Sequence, residues 1–253
     1  MKLIRLATPL VLVGAVCVSH AGTLFGTDTA SNLYSIDTVT ANATLIGNHG
    51  FVLESLAYNG TTLYGASSSG NIYSLSTLTG AATFIGSTGL GNIEGLDFAG
   101  TVLFAFNFAS QPTIYTINTS NGVATPFVQS NLVTGAVRTF AFTPDNSQAL
   151  MATDSPTFQT LHSMNTSGVT TQIGSLGSDG VYGMDFVGND LFGLGGNGQL
   201  WQFNPTTGGK TLIGSTGSQF WLGAAAAPVP EPATITAIGI GLAAFARRRR
   251  KSI

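Results

Sequence analysis

Five residues at one recurring position, Glu54, Glu94, Arg138, Tyr182 and Trp221, are the groups best suited to chemistry in this 253-residue chain. Two carboxylates beside flat aromatic rings are the groups that contact sugars, by hydrogen bonds to hydroxyls and by stacking under C–H faces. The same pair is what a glycosidase needs. There the carboxyls stand about 5 Å or roughly 6.5–9.5 Å apart, and an apolar pocket raises one pKa. Three readings are open: a glycan-binding mouth, a hydrolase, lyase or lactonase working through Glu54 and Glu94, or a filled channel in which Arg138 neutralises Glu94 or Glu54.

Other reactive types converge less well. Asp97 and Asp185 occupy matching places in Gly95-Leu96-Asp97-Phe98 and Gly183-Met184-Asp185-Phe186. A side chain carried by a repeat serves most simply to satisfy backbone amides between units, with calcium binding as the alternative. His162 stands where other units have Tyr34, Tyr73, Tyr115 and Trp201, and His49 lies in a Gly-rich loop. Neither has metal-ligand spacing, and no Gly-x-Ser-x-Gly elbow occurs. Asn42, Asn59, Asn118 and Asn165 open Asn-x-Ser/Thr triplets, which a chain rich in Asn and Thr produces by composition alone. No catalytic residue, metal or cofactor is expected.

The elements that position the five residues repeat about every forty residues. Each unit opens with a short strand: Leu24-Phe25-Gly26, Leu63-Tyr64-Gly65, Leu103-Phe104-Ala105, Leu150-Met151-Ala152, Leu191-Phe192-Gly193. A second, alternating strand follows (Leu33 to Asp37, Ile72 to Ser76, Ile114 to Asn118, Leu161 to Asn165, Leu200 to Asn204), whose period of two marks β structure. A Thr, Asn and Gly turn leads to a third strand, such as Thr44 to Gly47 or Thr83 to Gly86. The fourth carries the site column at its start: Glu54 to Tyr58, Glu94 to Phe98, Arg138 to Phe142, Tyr182 to Phe186, Trp221 to Ala225.

Four short strands per unit describe a blade, so the expected fold is an all-β propeller of five four-stranded blades, with a sandwich or solenoid as competitors. The chain enters on a first-type strand and leaves on a fourth-type one. If the fourth-type strand is innermost, Trp221 to Ala225 completes the blade begun at Leu24 and closes the ring. Pro112, Pro126 and Pro144 in the longer third unit argue for an edge strand and long loops there.

Charge is scarce and unevenly placed. Charged residues make up 8% of the chain, far below the usual quarter, and the formal net charge is −2. Arg138 and Lys210 are the only basic residues between the two ends, against ten acids there, leaving a body of roughly eight net negative charges. That composition excludes a nucleic-acid partner, which needs Lys or Arg on the binding face.

The ends carry addresses. Residues 1–21 have a basic start at Lys2 and Arg5, an apolar run from Leu10 to Val18, and small residues at Ser19 and Ala21, the pattern of a secretory signal peptide. Cys17, the only cysteine, would leave with it; Val16 before it does not fit a lipoprotein acylation site. Residues 22–227 form the repeat domain. Residues 228–253 hold Pro230-Glu231-Pro232, an apolar stretch from Ala233 to Ala246, then Arg247, Arg248, Arg249 and Arg250 with Lys251. This order resembles the PEP-CTERM sorting tail. The resemblance implies Sec export, transient anchoring in the inner membrane through a short helix with Arg247–Arg250 on the cytoplasmic side, and processing by an exosortase. The body is then expected to face the periplasm and later to lie at the cell surface or outside, as a binding or structural part of the exopolysaccharide matrix. About fourteen apolar residues give roughly 21 Å of helix against a hydrocarbon core near 30 Å, short for a permanent anchor.

Overall fold

A computed structural model describes residues 22–109, 111–132, 135–154 and 158–227. The expected signal peptide, the Pro230-Glu231-Pro232 motif and the Arg247–Arg250 cluster lie outside the described residues. So does the expected anchor, and among the described residues no helix is long and apolar enough to cross a membrane.

The regular structure within them is strand. In chain order these are β1 (Thr23–Asp28), β2 (Asn32–Asp37), β3 (Ala43–Asn48), β4 (Ser55–Tyr58), β5 (Leu63–Ala66), β6 (Asn71–Leu75), β7 (Ala82–Ser87), β8 (Ile93–Ala99), β9 (Val102–Asn107) and β10 (Thr113–Ile117). There follow β11 (Ala124–Gln129), β12 (Val137–Phe142), β13 (Gln148–Thr153), β14 (Gln159–Asn165), β15 (Thr170–Gly177), β16 (Val181–Val187), β17 (Asp190–Gly195), β18 (Gln199–Phe203), β19 (Lys210–Ser215) and β20 (Trp221–Ala226).

They form five four-stranded antiparallel sheets, four of consecutive strands and one ordered β20-β1-β2-β3. The inner strands β20, β4, β8, β12 and β16 pack side by side in a closed ring. The fold is therefore the expected five-bladed propeller, shut by pairing the last strand with the first, Leu24 opposite Ala226.

Core packing lies between blades. Each face between neighbouring sheets has its own apolar cluster; one joins Leu24, Ile36, Leu194, Leu200 and Trp221. Alternation along each strand supplies these side chains, so the period of two that identifies the strands also fills the core.

The outer rim is joined by a second repeated contact. A Cβ on Gly47 would lie 1.9 Å from the Thr79 carbonyl oxygen in the β6–β7 turn, where Gly80 has φ +73°. Gly86 meets Asn121 and Gly174 meets Thr207 in the same way, Gly214 meets Ala41, and Gly168 lies beneath Gln129. One such contact links every neighbouring pair, so the glycines at the ends of the outer strands set how closely blades approach.

Each outer strand also bulges at the same place, opposite Leu33/Tyr34, Ile72/Tyr73, Ile114/Tyr115, Leu161/His162 and Leu200/Trp201. A bulge twists an edge away from pairing with another chain. Pro126 sits on one of these edge strands, β11, where a missing N–H removes no ladder bond.

Two sequence alignments slip by one residue. In the fourth unit Met151, not Ala152, pairs with His162 as Gly26 pairs with Tyr34. The other slip touches the site.

Candidate functional site at the channel mouth

Every inner strand begins with a β-bulge. The ladder jumps from Ile93 to Gly95, from Val137 to Thr139, from Val181 to Gly183 and from Trp221 to Gly223. At β4 the Glu54 N–H bonds the Ala66 carbonyl although Ser55 already pairs with that residue. The skipped residues are Glu54, Glu94, Arg138, Tyr182 and Leu222, which the bulge aims away from the inter-blade core.

Trp221 is therefore not the fifth member of the column. It belongs with Leu53, Ile93, Val137 and Val181, the last core residues before the bulge, and is fully buried. Its ring meets Tyr34 edge-on at 5.2 Å, and its indole N–H donates to Thr216 Oγ1 at 2.8 Å. A ring so enclosed offers no face to a sugar. Matching Gly223 to Gly95 and Gly183 would have placed Leu222 correctly.

The other four residues lie together at one end of the channel. Arg138 is the hub. Its Nε donates to Asp154 Oδ2 at 2.5 Å, and a terminal nitrogen stands 3.8 Å from Glu94 Oε2. The guanidinium carbon lies 4.7 Å from the centre of the Phe108 ring and 5.8 Å from that of Tyr182. Burial works against its charge, but the hydrogen bond and charge of Asp154 outweigh that and raise the Arg138 pKa.

The carboxylates are shifted in the opposite sense from ordinary exposed acids. Glu94 is 8% exposed, and burial raises its pKa; Arg138 opposes this while Glu54 adds to it. Burial also raises Glu54, again with Arg138 opposing. Aromatic rings complete the rim. Tyr182 packs on Phe220 with ring centres 5.0 Å apart, and both lie against Gly196, where a Cβ would be 2.9 Å from either ring. Phe108 and Phe220 are each about two-fifths exposed.

Asp154, Phe108 and Phe220 were absent from the sequence-based column. Phe108 and Asp154 share one place, the residue after the strand that pairs with an inner strand, and Gly196 fills it in the next blade. Antiparallel pairing within each blade sets this second column beside the first, with the Asp154 N–H on the Ala136 carbonyl and the Phe108 N–H on that of Asn92.

The channel's other end holds Asp97 and Asp185. Each accepts two backbone N–H bonds at 2.6 Å, Asp97 from Phe98 and Phe142, Asp185 from Phe186 and Ala226. Each so ties its own inner strand to the next. Burial raises both pKa values, that of Asp185 to about 6, and the charge of Asp185 pushes Asp97 further up. The histidines stand apart from both ends: His49 bonds Thr27 Oγ1 at 2.9 Å and His162 bonds Thr160 Oγ1 at 2.9 Å, both buried. Among the described residues no three His, Cys, Asp or Glu side chains converge as metal ligands.

Comparison with known proteins speaks to the tail and the fold. Residues 228–251 match the PEP-CTERM protein-sorting motif. Such a tail marks an exported protein, anchored at its C-terminus before exosortase processing. A chain in the crystal structure of the nidogen/laminin complex superposes with a TM-score of 0.55 at 14% identity, over 83% of this chain and 86% of that one. The WD40 β-propeller domain of Doa1 gives 0.46 at 10% identity, over 78% and 67%. At these identities the likeness is one of fold. A search of curated protein sequences matches none of them.

Proposed function

We propose that this exported propeller is a non-catalytic binding component of the cell surface or exopolysaccharide matrix, with the mouth around Arg138 as its glycan site. The observation that carries the reading is the exposed pair Phe108 and Phe220 flanking polar groups already fixed by one another. Arg138 is oriented by Asp154 and Glu94, so its position is set before a ligand arrives, and aromatic faces beside it offer stacking surface for a pyranose ring. Three carboxylates around one guanidinium favour a neutral or amine-bearing polysaccharide over a polyanion.

The hydrolase reading is the weaker one because Glu94 is buried against Arg138. A general acid or base must reach a substrate proton, and this carboxylate is instead committed to an internal ion pair. Binding to immobilised exopolysaccharide from the producing cell tests the proposal, using Tyr182→Ala and Phe220→Ala with thermal melting as the folding control. Loss of an order of magnitude or more in affinity is expected for Phe220→Ala. Unchanged binding in both folded variants would remove the site.

A further inference from the structure

We infer that the propeller lies on the lipid surface with the face from which both chain ends emerge, and so holds the Arg138 mouth pointing away from the bilayer. This does not rest on the glycan reading. It follows from the strand directions, the tether length and the distribution of exposed apolar side chains.

Strand β20 runs from Trp221 at the mouth to Ala226 at the opposite end of the channel. There the Ala227 N–H donates to the Thr23 carbonyl at 2.8 Å, so β1 begins beside the end of β20. The sorting motif starts at the next residue, Pro228. From Ala227 to Ala233, where the apolar stretch of the tail begins, the chain spans at most about 20 Å even when fully extended. The headgroup layer takes up about 5–8 Å of that. Presenting the mouth to the bilayer would require the same tether to run back along the length of an inner strand, itself roughly 20 Å, and around a blade. The tether is too short.

The face so held is also the one with aliphatic tips. The outer hairpin turns β2–β3, β6–β7, β10–β11 and β14–β15 project from it. Each carries an exposed aliphatic side chain: Val39 at 47%, Leu78 at 88%, Val123 at 51% and Val169 at 50%. Packing accounts for none of these, and Leu78 is almost wholly in solvent. The apolar side chains exposed at the mouth face are of another kind, Phe108, Phe158 and Phe220. Branched aliphatic tips around an anchored chain end fit the boundary between headgroups and acyl chains. Asp37 and Asp145 stand exposed on the same face and oppose anionic headgroups, so the contact depends on the tether and ends when the tail is cut.

The test uses the chain with its tail intact, in a Cys17→Ser background, reconstituted into vesicles of phosphatidylethanolamine and phosphatidylglycerol containing a headgroup-region spin-labelled lipid. A fluorophore is attached at Leu78→Cys, at Val169→Cys, or at the mouth-face turn residue Asn197→Cys. Quenching several-fold stronger at 78 and 169 than at 197, abolished by proteolytic removal of the tail, is expected. Equal quenching at all three, stronger quenching at 197, or none at either tip would overturn the inference. Protection of 78 that grows with protein density without quenching would assign the tips to a second copy and overturn it equally.

Discussion

At the residue scale the two ends of the channel treat their carboxylates differently. Glu94 shares Arg138 with Asp154, so Arg138→Ala leaves a buried carboxylate without its cation. That variant should lose about 1–3 kcal/mol of stability at neutral pH. The loss should shrink as pH falls and Glu94 takes up a proton, readable as urea midpoints at several pH values. Among the described residues Asp185 has no cation partner. Its pKa rises from 3.8 to about 6, so between those values the folded chain binds more protons than the unfolded one. Stability from this group is then complete below about pH 4 and falls as pH rises toward about 6. Asp97 extends the fall upward, because its own pKa is raised well above the ordinary value. Asp185→Asn should flatten that part of the pH profile, whatever it does to absolute stability. An unchanged slope would show that the carboxyl does not titrate in this range.

At the scale of elements, the bulge at the start of each inner strand decides what a residue does. One step along the strand separates the core column of Leu53, Ile93, Val137, Val181 and Trp221 from the mouth column of Glu54, Glu94, Arg138, Tyr182 and Leu222. Trp221→Ala is thus a core deletion and should cost about 3–5 kcal/mol in denaturant unfolding. Ligand binding of whatever remains folded should be unaffected. The glycines at the outer rim work through close approach rather than turn conformation. Gly47 and Gly86 belong to strands, yet a methyl group at either would meet a backbone carbonyl of the next blade. Gly47→Ala should cost about 1–3 kcal/mol by overpacking, and a melting temperature equal to the wild type's would show that neighbouring blades yield freely.

For the whole molecule, closure by β20 (Trp221–Ala226) sets the strand that shuts the ring directly before the sorting motif, which begins at residue 228. A chain truncated after Ala227 should melt like the full-length protein. Truncation after Phe220 removes β20, exposes the inner edge of β1 and strips the β16 and β4 inner strands of a neighbour, so cooperative unfolding should be lost. Calorimetry on the two truncations separates a delivery tail from a structural one. The same closure puts the tether and the aliphatic tips on one face and the aromatic mouth on the other, which gives the anchored protein a direction.

The forty-residue period, the phase at which the chain enters and leaves it, and the terminal order of Pro-Glu-Pro, apolar stretch and arginines were legible in the sequence alone. They determine the blade count, the closing strand and the sorting tail, because each is a pattern along the chain and needs no knowledge of what lies beside it. The site was legible only in part. Glu54, Glu94, Arg138 and Tyr182 share a repeat position and could be found by alignment, but Trp221 was set one residue out, and on a strand one residue exchanges the core for the channel. Asp154 reaches Arg138 through the β12–β13 pairing of its own blade, whereas Phe108 and Phe220 reach Arg138 and Tyr182 only across blade boundaries. Which residues face the mouth, and which aromatic rings stand beside the arginine, were decided by tertiary structure, because ring closure brings neighbours together that no local pattern relates.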